Sequence, residues 1–140
     1  MNREIKFRVW HKELNCFLSK EEWIINFDGE LYFVETRDWN TDLQLVDKNL
    51  YILQQFTGLK DGNGKDLYEG DIVKICIDDN PENPEWELSE ITYRDGCFWL
   101  DGKSPDPLYD FISCDLSENR VEGEIVGNIF ENPELLNSPS

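Results

Sequence analysis

Apolar and polar residues alternate with a period of two along much of this chain, and the runs are short. Ile5, Phe7 and Val9 fall on one side of the segment 3–10, with Lys6 and Arg8 on the other, which is the pattern of a half-buried strand. Residues 11–15 read as a polar turn. Ser19 followed by Glu22 has capping-box spacing, but β-prone Trp23, Ile24 and Ile25 come next, so one helical turn leading into a strand is predicted. The runs 24–27 and 31–34 flank Asp28-Gly29-Glu30, a hairpin signal with both central positions expected at positive φ. The polar segment 36–41, which holds Trp39, reads as a loop. Leu43, Leu45 and the run 50–53 are broken by Asp47-Lys48-Asn49.

Glycines punctuate the second half. Asp61-Gly62-Asn63-Gly64 is a loop tip, Leu67 and Tyr68 re-enter the core, and Glu69-Gly70-Asp71 is a second turn before a strand over 72–77. The acidic segment 78–87, with Pro81 and Pro84, is predicted to protrude as a loop. Strands over 88–93 and 97–100 join through Asp95-Gly96. Residues 101–107 read as a loop, 109–112 as a short strand or helical turn, and 121–130 as a final strand. Asn132 and Pro133 then fit the N-cap and first position of a short helix, with residues 137–140 fraying. Many short strands, Gly-based turns and no sustained helical period predict a mostly β fold: a small bent-sheet barrel with an N-terminal strand and hairpin extension. One domain over 1–140 is expected, with a soft internal boundary near residue 57 dividing 1–57 from 58–136.

Composition narrows the partners. Thirty acidic residues against thirteen basic ones give a net charge of −17. Such a surface repels phosphate and anionic lipid, so direct nucleic-acid binding is disfavoured and no membrane association is expected. It favours encounter with a basic partner, although charge speaks first to solubility. Aromatic residues at 13% supply enough large apolar surface to argue against disorder. Cys16, Cys76, Cys97 and Cys114 form no CxxC pair, and no apolar signal segment opens the chain. Buried free thiols in a reducing cytoplasm are therefore expected, and no run is long enough to span a membrane.

A search for chemistry is mostly negative. His11 is the only histidine; it sits in a polar turn, where a solvated side chain is expected. Asp78, Asp79 and Glu82 form an oxygen-rich run that lacks the glycine of a calcium loop, so neither metal nor cofactor is expected. Gly62-Asn63-Gly64-Lys65 lacks the spacing and the Ser/Thr of a phosphate loop. Arg3, Lys6, Arg8 and Lys12 are a basic cluster that could support self-association by opposite patches, so a homo-oligomer is possible; ordinary charges on an exposed strand face are the plainer reading. Trp39 and Trp86 lie in polar segments, and exposed tryptophans often anchor interfaces. With Asp78, Asp79, Glu82 and Glu85 they are the candidate interaction surface.

Three blocks carry a family likeness. They are Arg3 through Trp10; Gln55 through Val73, with Thr57-Gly58-Leu59-Lys60-Asp61, Asn63-Gly64-Lys65 and Tyr68-Glu69-Gly70-Asp71-Ile72-Val73; and Glu124 through Leu136, with Gly127, Asn128 and Pro133. Together they resemble the YopX family of phage and prophage proteins. The resemblance implies a small intracellular, mostly β protein with a strongly bent sheet of SH3-like character, and it hands no catalytic role to any residue. Gly58, Gly64, Tyr68, Gly70, Asp71, Gly127, Asn128 and Pro133 are then fold-forming positions. Three functions follow as expectations: a non-enzymatic interaction or regulatory module with an unidentified protein partner; an acidic mimic of DNA that occupies a basic host protein; and, least supported, a metal-dependent hydrolase built on carboxylates.

Overall fold

The computed structural model describes residues 4–78, 81–83, 85–102, 105–108 and 120–137, with residues 77, 78 and 137 described by backbone alone. The chain is mostly β, as its periodicity predicts, and divides into two compact units. One holds Phe7–Gln54; the other holds Met1–Lys6 and Gln55–Ser140. The boundary falls inside one strand, β6 (Tyr51–Lys60).

In the unit 7–54, β1 (Phe7–His11) pairs antiparallel with β2 (Cys16–Phe17) and neighbours the first residues of β6. β3 (Trp23–Ile25), β4 (Leu31–Arg37) and β5 (Asn40–Leu45) make a three-stranded antiparallel sheet in that order. Val9, Leu31, Val46 and Tyr51 form the buried core, with Leu18, Trp23, Phe33 and Leu53 packed against it. Asp47 caps a 3-10 turn, Lys48–Leu50, by accepting the Asn49 N–H at 2.9 Å.

The 28–30 hairpin forms, but its loop is wider. Asn26 N–H donates to the Glu30 carbonyl, the Asn26 side-chain oxygen accepts from Asp28 and Glu30, and only Gly29 has positive φ. Phe27, assigned to a strand, stands fully exposed in that loop. The segment 36–41 is not a loop: β4 and β5 run to a two-residue turn at Asp38-Trp39. His11 is not solvated. It ends β1 in a buried position, stacks on Phe33, and its Nδ1 accepts the Leu14 N–H at 3.1 Å. Residues 20–22 make a turn rather than a turn of helix, closed by the Glu22 N–H to the Ser19 carbonyl.

In the other unit, β8 (Asp71–Asp78), β9 (Glu85–Arg94) and β10 (Cys97–Asp101) form an antiparallel meander. β11 (Asp106–Pro107) flanks β10 and β12 (Glu124–Asn128) flanks β8. This sheet is compatible with the SH3-like expectation. Residues 55–60 of β6 pair with β7 (Asp66–Tyr68), and a bulge intervenes at Gly58, whose φ of +88° only glycine adopts readily. Leu67, Val73, Ile75, Ile91, Leu100, Leu108 and Val121 are the core. The acidic loop is shorter than predicted, because Glu85, Trp86 and Glu87 are already strand, registered with Asp78, Cys76 and Ile75. The last strand is also shorter than 121–130, with a register shift between Ile125 and Gly127. A short helix, α1 (Glu134–Asn137), follows Pro133; the Asn132 carbonyl accepts the Leu135 N–H at 3.1 Å at its start, and the Asn132 side chain accepts the Asn128 N–H at 3.3 Å. Residues 109–112, Cys114, Arg3 and 138–140 lie outside the described residues. Among the described thiols, Cys76 and Cys97 are half-buried, while Cys16 is exposed, against the expectation of burial.

Candidate interaction surface

Sheet register decides which side chains share a face. Ile24, Tyr32 and Leu45 are aligned across β3, β4 and β5, and Val34 lies opposite Leu43 one step along. Side chains alternate, so these five residues share one face, while Leu31, Phe33 and Trp23 point to the other face and into the core. Ile24, Leu43 and Leu45 are exposed, and Tyr32 and Val34 are half-buried. The result is an apolar face open to solvent. Beside it, Glu30, Leu45, Val46, Asp47, Lys48 and Tyr51 line a concavity of about 300 Å³.

Trp39 stands at the tip of the β4–β5 hairpin. It is 102% exposed relative to an extended reference. Its φ is +74° and that of Asp38 is +46°, so both central turn positions are left-handed, as a type I′ turn demands. Glycine and asparagine ordinarily fill those positions, and a tryptophan there carries backbone strain of about 1 kcal/mol or more. No packing against the protein offsets it, because the ring is fully in solvent.

The other sequence candidates lie elsewhere. Trp86 is on β9, not in a loop, and its ring lies under the Lys74 ammonium group at 4.9 Å. Glu82 is exposed in the turn that precedes β9, and Glu85 begins that strand. Asp79 lies outside the described residues, and Asp78 is known by backbone alone. Trp39 in the unit 7–54 and Glu82, Glu85 and Trp86 in the other therefore belong to separate units. Among the described residues, no cluster of three or more histidine, cysteine, aspartate or glutamate side chains could hold a metal ion, and no helix is long and apolar enough to cross a membrane. The basic cluster is dispersed: Lys6 bonds Asp66 at 2.6 Å, which raises its pKa to about 12, with Glu4 contributing, while Arg8 donates to Gln54 at 2.7 Å and lies over Phe17.

The fold-forming positions gather around three turns. Asp71 accepts the Tyr68 N–H at 2.9 Å across Gly70, whose φ is +88°, and the Tyr68 ring packs on Phe56. Asn128 accepts from Phe130 and Glu131 and donates to the Glu131 carboxylate at 2.8 Å. A side chain at Gly127 would run into Asn132. The third turn holds Gly64 and centres on Asp61, which the sequence marks only as the start of a loop tip. Asp61 is 0% exposed, and its carboxylate accepts the N–H groups of Asn63 at 2.9 Å, Lys65 at 2.8 Å and Ile125 at 3.0 Å. The signal was available: Asp is the residue that bonds backbone two positions on, here just ahead of Gly-Asn-Gly.

Glu90, on β9, is half-buried with Asp101 opposite it on β10. Desolvation, and then the Asp101 charge, raise its pKa above the ordinary carboxylate value. A raised folded-state value stabilises the fold below the unfolded pKa, and this contribution is lost as pH rises through the folded one. Glu90→Gln is therefore expected to stabilise the protein at neutral pH, by about 0.5 kcal/mol given partial exposure, and to give no gain near pH ~3. Urea unfolding at the two pH values checks this.

Comparison with known proteins agrees with this architecture. The family profile described as "YopX protein" matches residues 6–137. A Bacillus subtilis (strain 168) protein described as "SPbeta prophage-derived uncharacterized protein YopX" is 33% identical over 73 residues, so the match spans 52% of each chain. The crystal structure of protein EF1440 from Enterococcus faecalis is similar, with a TM-score of 0.58, 24% identity, and coverage of 96% of this chain and 99% of that one. The X-ray structure of the Bacillus subtilis protein yopX has a TM-score of 0.60, 23% identity, and coverage of 96% and 97%. At those identities the solved structures speak to the fold alone. The profile spans nearly the whole chain, and the chain belongs to the YopX family.

Proposed function

We propose that this YopX-family chain is a prophage or phage accessory protein that works by binding a protein partner in the cytoplasm of its bacterial host, without chemistry of its own. The observation that carries the reading is the open apolar face of β3–β5 beside a strained, fully exposed Trp39. Strain in a turn residue that packs against nothing has no use to the fold, and strained positions concentrate where proteins make contacts. An exposed Trp at the tip of the hairpin that carries the exposed Leu43 and Leu45 has the composition of an interface hot spot. The prophage origin follows the description of the Bacillus subtilis relative. A partner with an apolar patch rimmed by basic residues suits this face, since the net charge is −17.

Quantitative affinity capture from host lysate is the test, comparing the wild-type chain with the double variant Ile24→Asp, Leu45→Asp. Both residues are exposed, so the fold is expected to persist. At least one protein retained by the wild type should be lost from the variant. Identical captured sets would overturn the assignment of this face.

A further inference from the structure

β5 is the edge of its sheet, and all six of its residues are exposed. The phase of its hydrogen bonds follows from the register. The two-residue turn makes Arg37 and Asn40 a bonded pair, and Glu35–Asp42 and Phe33–Gln44 share that phase. The Val46 N–H to the Leu31 carbonyl at 2.9 Å lies on the same phase. Thr41, Leu43 and Leu45 therefore turn their N–H and C=O groups outward, and among the described residues no strand pairs with them. The edge is regular: no Pro, no Lys and no bulge interrupts it, and Asp42 is its one charge.

We propose that a second copy of this chain pairs antiparallel along this edge, in the register centred on Leu43, to give a two-fold dimer with a continuous sheet. In that register Leu43 faces Leu43 of the second copy, Thr41 faces Leu45, and Asp42 faces Gln44. The outward N–H and C=O groups of Thr41, Leu43 and Leu45 in each copy then all find partners. Shifting the centre to Asp42 sets two carboxylates against each other and leaves the outward groups of Leu45 unmatched. The polar face favours the same register. Asp42 already lies across from Glu35 within its own hairpin, and the Gln44 amide of the second copy offers it a donor. Edge pairing leaves the apolar face open and doubles its width, so the dimer does not depend on a partner bound there.

The charge on each copy works against association at long range. Salt is expected to strengthen this dimer by screening, whereas it would weaken the binding of a basic foreign strand at the same edge. Sedimentation across micromolar to submillimolar concentrations, at low and high salt, reads both the mass and the salt trend. The wild type should approach twice the monomer mass and do so more readily at high salt. Leu43→Lys places two like charges opposite each other at the axis and is expected to weaken the dimer about tenfold or more. Ile24→Lys, on the same apolar face but on the opposite edge strand, is expected to leave the dimer intact. Circular dichroism confirms that both exposed-site variants are folded. A monomeric wild type overturns the proposal. Loss of the dimer in both variants identifies face stacking and overturns it, and so does a dimer that neither variant affects.

Discussion

Asp61→Ala is expected to lower unfolding stability by about 3–5 kcal/mol, more than any surface change in the molecule. The carboxylate is fully buried and holds three backbone N–H groups, two from its own loop and one from β12. Alanine removes the acceptor from all three, and a hydrogen bond to a charged group contributes about 1.5–3 kcal/mol, least at the exposed Asn63 and Lys65, where water can replace the carboxylate, and most at the half-buried Ile125. The loop's own bonds, Asp61 N–H to the Lys65 carbonyl and Gly64 N–H to the Asp61 carbonyl, remain but lose their anchor. Asp61→Asn keeps the shape and one acceptor oxygen, so a smaller loss of about 1–3 kcal/mol is expected, with an NH2 group set against one of the N–H donors. Urea unfolding with an unchanged m-value gives the magnitude, and amide exchange gives the location: Lys65 and Ile125 should lose protection first. A loss under about 1 kcal/mol for Asp61→Ala would mean that the carboxylate fills space and does not organise the loop.

What could be read from the sequence follows from where each segment meets the core. The strands around Ile72, Val73, Ile91 and Leu100 are legible because short apolar runs, buried in the fold, end in Gly-based turns such as Asp95-Gly96, where Asp95 has φ +51° and Gly96 φ +80°. The hairpin 36–41 was not legible. Its strands are exposed on both faces near the tip, so burial imposes no alternation, and its turn uses Asp-Trp where Asn-Gly would announce it. The strand start at Glu85 was hidden in the same way, by charge and proline in a partly exposed edge of the β8–β9 ladder. His11 was misread because local polarity describes neighbours in sequence, while its burial comes from Phe33, a long-range contact. The candidate surface was half visible. Trp39 stood out by composition, but the face it adjoins exists only through the register of Ile24, Tyr32 and Leu45.

Trp39→Gly is expected to move stability and binding in opposite directions. Glycine adopts the left-handed backbone at no steric cost, so relief of the strain at φ +74° should raise stability by about 1 kcal/mol, partly offset by the greater freedom of glycine in the unfolded chain. No packing is lost in exchange, because the indole is fully exposed. The same change removes the largest side chain beside the apolar face. Truncating a Trp anchor at an interface typically costs about 2 kcal/mol or more, so a partner captured through this hairpin should bind about 30-fold more weakly. A tryptophan kept for the fold would behave otherwise: its removal would lower the urea midpoint and leave capture unchanged. Measuring both quantities on one variant therefore separates a residue maintained for contact from one maintained for structure. A fall in stability, or capture equal to that of the wild type, would remove Trp39 from the binding surface.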